Sequence, residues 1–112
     1  MLSLLFALLA YADPSPSMTL VTLGSDGCRA VIEKKESLCG TNQWACKAMS
    51  TGKVALCLSD DWLCKAFTLQ DVTVCEASDF TCKAVVTAKM EFCSPNDWIC
   101  KALASNTEKL CN

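Results

Sequence analysis

The sequence predicts an all-α fold, a disulfide-stapled short-helix solenoid of five 18-residue repeats. Three observations carry that prediction. The motif aromatic-x-Cys-Lys-Ala recurs every eighteen residues, at 44–48, 62–66, 80–84 and 98–102, with a worn copy at Cys28-Arg29-Ala30. A second cysteine follows the first by eleven positions in each unit, so Cys28, Cys39, Cys46, Cys57, Cys64, Cys75, Cys82, Cys93, Cys100 and Cys111 all belong to the repeat. Helix-start residues precede the motif in Ser59-Asp60-Asp61, Ser78-Asp79 and Ser94-Pro95-Asn96-Asp97, the types that cap an N-terminus or occupy its first turn.

Residues 1–12 read as a signal peptide. An apolar run from Leu2 to Leu9 is followed by Ala10-Tyr11-Ala12, a small-x-small cleavage pattern, although no Lys or Arg precedes the run. Such a run is too short to span a bilayer, which takes about twenty residues. Ten cysteines in a 112-residue chain reach the density of secreted scaffolds, in which cross-links make up for a thin core. A secreted, extracellular location is therefore expected. The formal net charge of −2, with no block of like charge, points to neither nucleic acid nor an anionic membrane surface.

Residues 13–24 contain Pro14 and Pro16, which disfavour helix. They are expected to form an extended leader whose Leu20, Val21 and Leu23 lie against the first repeat. The five-repeat domain then occupies 25–112.

Within a unit, with the first cysteine as position 0, position +2 is always alanine and positions +3 and +10 are always apolar. On a continuous helix, positions 0, +3, +10 and +11 would share one face. Position +7 would lie in the middle of that face, yet it holds Lys35, Lys53, Asp71, Lys89 and Thr107. Two short helices per repeat, separated by a turn near +4 to +7, resolve this conflict. A hairpin of that kind brings the two cysteines of a unit together, giving Cys28–Cys39, Cys46–Cys57 and so on. A continuous helix would hold them about 16 Å apart, beyond bridging distance, and would force bonds across the loops that strand Cys28 and Cys111. Parity and position +7 favour the within-unit pairing. Eighteen residues cannot bury a hydrophobic face alone, so the units are expected to stack.

Two columns run through the repeat. The aromatic column Trp44, Trp62, Phe80 and Trp98 reads as packing between units rather than as a stacking platform for sugars or bases, because aromatics dominate buried area. The basic column Arg29, Lys47, Lys65, Lys83 and Lys101 is the possible binding face, a ladder for an acidic partner. Asp61, Asp79 and Asp97, four residues before their lysines, are expected to pair with them.

The cysteine spacings of seven and eleven, with no histidine, do not match zinc sites, and no cofactor is expected. A thiol-rich metal-binding protein is a lesser alternative. Without histidine, a glycine-rich phosphate loop or a unit-breaking insertion, catalysis is not expected. Thr51, Thr87 and Ser105 share position +5, but Glu33 and Leu69 interrupt an ice-binding column. The function read from the sequence is therefore a non-catalytic binding module for a protein or carbohydrate partner. The alternative is a structural subunit stacking end to end, since no polar capping unit follows Cys111.

Overall fold

A computed structural model describes residues 18–111, and the signal peptide expected at 1–12 lies outside them. Every regular element among the described residues is helical. Five α-helices, α1 (Met18–Glu33), α2 (Trp44–Thr51), α3 (Trp62–Leu69), α4 (Phe80–Thr87) and α5 (Trp98–Ser105), alternate with 3-10 turns at Glu36–Leu38, Val54–Leu56, Val72–Val74, Met90–Phe92 and Glu108–Cys111. Each repeat is thus a two-turn α-helix followed by a single 3-10 turn, the two short helical segments expected from position +7.

The helices of the last four units start at position −2, two residues later than position −4, the start expected from the capping residues upstream. The N-cap is position −3, and the carboxylates of Asp61, Asp79 and Asp97 accept the backbone N–H of Cys64, Cys82 and Cys100 at 3.0–3.1 Å. Each helix stops because position +6 adopts a left-handed backbone: Lys34, Gly52, Gln70, Ala88 and Asn106 all have φ between 54° and 75°. The N–H at +7 then reaches back to the alanine carbonyl at +2 over 2.9–3.1 Å, as in Lys35 to Ala30 and Asp71 to Ala66. This Schellman-type stop satisfies carbonyls that the helix end would otherwise orphan. Position +7 is polar because it lies just past the stop.

Ala30, Ala48, Ala66, Ala84 and Ala102 are fully buried, as are the first cysteines of the units. A methyl group at +2 lets neighbouring helices approach closely. The helices pack in sequence, α1 on α2 through to α5, and α5 packs back on α1. The array is therefore a closed ring of five units rather than an open stack.

Closure overturns the expected disulfides. Cys39–Cys46, Cys57–Cys64, Cys75–Cys82 and Cys93–Cys100 join the end of one unit to the helix of the next, with Cα atoms 5.7–5.8 Å apart. Cys28 and Cys111 are bonded to each other across 83 residues. The within-unit pairing fails because the 3-10 turn is too short to fold back along its own helix. The residue after each of the first four turns, Cys39, Cys57, Cys75 or Cys93, is extended, which carries it forward to the next unit. The cysteines that looked stranded on a line are neighbours on a ring.

Residues 18–23 are helical, where an extended leader was expected, and are joined to the rest of α1 through a kink at Gly24 (φ 66°). Leu20 and Leu23 are buried in the core. Thr19 Oγ1 donates to Asp61 at the start of α3 over 2.7 Å. Gln43 Nε2, at the start of α2, donates to the Thr22 carbonyl over 3.0 Å. Leu20 and Val21 share a cleft with Asn96, Asp97, Trp98 and Ile99 at the start of α5. The segment is a plug held among three helix N-termini. Pro14 and Pro16 do not prevent this, because the helix begins beyond them.

Candidate functional site

The plugged face carries the aromatic column. Each ring is the first residue of its helix, and Trp44, Trp62, Phe80 and Trp98 are 43%, 44%, 55% and 50% exposed. They were expected to fill the space between units. That space is taken by cysteine, alanine and the +3 side chains, and the rings remain on the surface.

The lysine three residues on lies over each ring, with Nζ 4.6, 4.5, 4.9 and 4.2 Å from the centroid for Lys47, Lys65, Lys83 and Lys101. The spacing follows from the helix, since residues i and i+3 share a face. The same ammonium groups donate to the carbonyls of Thr41, Ser59, Ala77 and Pro95 over 2.6–3.0 Å. Lysine therefore bridges its own ring and the loop before its helix. A cation over an aromatic face at an exposed site is worth about 0.5–1 kcal/mol.

The expected Asp–Lys pairs do not form. Asp61, Asp79 and Asp97 point inward along the helix start as caps, and the lysines turn to ring and carbonyl instead. Among the described residues the ion pairs are Arg29–Asp26 at 3.2 Å and Lys35–Glu33 at 3.4 Å. The first unit, which lacks the aromatic, thus substitutes a carboxylate for it: Asp26 holds Arg29 where a ring holds lysine in the other four. The basic column is present on one face, but its cations are already engaged, so it is a rim of cation-backed rings rather than a free ladder.

The hydroxyls of Thr51, Thr87 and Ser105 donate to the carbonyls of Lys47, Lys83 and Lys101 over 2.6–2.7 Å. With the ten cysteines in disulfides, none presents a thiolate, and no group of three potential metal ligands occurs among the described residues.

Sequence reasoning missed a groove beside the first ring of the column. Thr22, Leu23, Asn42, Gln43, Trp44, Leu58 and Asp61 line a depression of about 390 Å³. It continues past Leu58 and Asp61 into a shallower one, of about 290 Å³, that adds Thr19 and Asp60. Its wall is the plug, which was read as leader, so no repeat-based signal could reveal it.

At the seam of the ring, Glu33 at the end of α1 and Glu108 in the last turn hydrogen-bond through their carboxyls. This contact lowers the Glu33 pKa and raises that of Glu108.

No helix among the described residues is long and apolar enough to cross a membrane. No family model matches this chain, no curated protein matches it, and no solved structure matches its fold.

Proposed function

We propose that this small, cysteine-rich helical protein is a secreted, non-catalytic binding module that meets its partner with the plugged, aromatic-rimmed face. One observation carries the reading: four rings that the scaffold does not need for its core are held half-exposed in one repeated geometry. Binding hot spots are rich in tryptophan, and rings restrained by a cation and a helix start lose little freedom on binding. The disulfide content suits an oxidising compartment. End-to-end stacking is a poorer reading, because the first and last units are already neighbours.

The test uses a variant with Trp44, Trp62 and Trp98 all changed to Ala. The rings are exposed, so it is expected to fold with five disulfides intact. Wild-type protein, purified from the medium of secreting cells, is expected to begin near Asp13 and to bind members of an immobilised panel of extracellular proteins and polysaccharides that the variant does not bind. Retention of the whole chain inside the cell, or identical panel profiles for both proteins, would contradict the reading.

A further inference from the structure

We propose that the groove between the plug and Trp44 is a binding site for an uncharged saccharide. The inference rests on the binding role proposed above and assigns its ligand class at one place on the face. The groove combines an aromatic ring with side-chain amides, hydroxyls and carboxylates. Trp44 supplies a half-exposed indole; the Lys47 ammonium lies over one side of the ring, and the apolar surface left uncovered is where the C–H face of a pyranose can lie. Asn42 lines the groove with an amide, and Gln43 with an amide that also holds the Thr22 carbonyl and the Gly40 N–H. Thr22 lines it with a hydroxyl that donates to the Thr19 carbonyl, and Asp61 with a carboxylate whose Oδ1 caps α3, while Asp60 lines the adjoining depression. A sugar ring with an apolar face and a rim of hydroxyls needs both kinds of surface. The volume is at the lower end of ordinary ligand sites, which suits one or two sugar rings.

Charge selects against anionic sugars. Asp60 and Asp61 are the ionisable groups in the lining. The nearest repeat cation, Lys47, is held on the Trp44 ring and the Thr41 carbonyl. A sulfated or carboxylated sugar would meet two carboxylates and no free cation. Nor does the groove suit an extended peptide, since it offers no strand edge along which a backbone could pair.

The site is not repeated around the ring. The plug hydrogen-bonds to Gln43 and Asp61, so it walls the groove on the side of units two and three. At Trp98 the corresponding cleft is lined by Leu20, Val21 and Ile99, and is more apolar. The saccharide site therefore depends on Trp44 and Asn42 in particular, not on the column as a whole.

The experiment is a titration of the isotope-labelled, disulfide-intact protein with cellotriose, the β-1,4 trimer of N-acetylglucosamine, mannotriose and a sulfated disaccharide, followed by amide and indole N–H resonances. At least one uncharged trimer is expected to shift the Trp44 indole and the backbone of Asn42 and Gln43 saturably. Trp44→Ala and Asn42→Ala are expected to weaken binding at least tenfold, and Trp62→Ala less than twofold. No shift with any uncharged trimer at about 10 mM, weak millimolar affinity, overturns the inference. So does an equal loss in Trp62→Ala, or a response to the sulfated sugar alone. A protein partner that binds the rings while all three uncharged trimers fail would overturn this inference and leave the wider binding role standing.

Discussion

Asp61 holds one donor that its repeat equivalents do not share. Its Oδ1 accepts the Cys64 N–H, as every capping aspartate does, and also the Thr19 hydroxyl of the plug. Asp79→Ala is expected to cost about 1 kcal/mol, the usual loss of a cap. Asp61→Ala is expected to cost about 2–3 kcal/mol, since a hydrogen bond to a charged group is added to the cap. Chemical denaturation of the two variants measures the difference. At the seam, Glu108 has a raised pKa and Glu33 a lowered one, because they share a proton. The contribution of Glu108 is complete below its unfolded pKa and is lost as pH rises through the raised folded value. That of Glu33 is complete above its unfolded pKa and is lost as pH falls through the lowered one. The pair is therefore best satisfied in a mildly acidic window, around the ordinary carboxyl range of about pH 4. Glu108→Gln keeps a donor and removes the repulsion, so it should flatten the decline in melting temperature between that window and neutrality. An unchanged pH profile would show that the contact carries no linkage.

The plug is the element whose removal the ring should feel most. Leu20 and Leu23 are buried, Leu20 beside the start of α5 and Leu23 beside the start of α2. Gly27 accommodates Leu23, because a Cβ there would lie 3.0–3.1 Å from the Leu23 side chain. Leu23→Ala is expected to destabilise by about 2–5 kcal/mol, and Gly27→Ala to destabilise by displacing Leu23. Thermal unfolding checks both, and a neutral Leu23→Ala would mean that the plug is not part of the core. The repeat units themselves were legible in the sequence: the helix at the first cysteine, the alanine contact and the break marked by position +7, whereas Asp61, Asp79 and Asp97 read as partners of the lysines and are caps instead. The stop was only half legible, since Gly52 and Asn106 are ordinary left-handed residues whereas Lys34, Gln70 and Ala88 announce nothing. The plug was not legible. It lies outside the repeat, follows two prolines, and owes its helix to contacts with three distant helix starts. The exposed rings were misread for a related reason: hydrophobicity does not reveal that small residues already fill the space between units.

Closure decides the behaviour of the whole molecule. Each seven-residue disulfide loop contributes about 2–3 kcal/mol by the chain-entropy relation, whereas the bond spanning 83 residues contributes about 4 kcal/mol even after the four nested loops shorten it. Replacing Cys28 and Cys111 together with serine is accordingly expected to lower stability more than replacing Cys57 and Cys64. Comparison of denaturation midpoints tests this. The pairing of ends was hidden in the sequence because a repeat specifies what its neighbour looks like, and does not specify that the fifth unit's neighbour is the first. The binding face depends on the same fact, since closure gathers the helix starts, the rings and the plug on one side. The most direct test of the closed ring is peptide mapping of the unreduced protein. A closed ring yields a Cys28–Cys111 cross-linked peptide together with Cys39–Cys46, Cys57–Cys64, Cys75–Cys82 and Cys93–Cys100. Cys28 joined to Cys39, with Cys100 joined to Cys111, would contradict it.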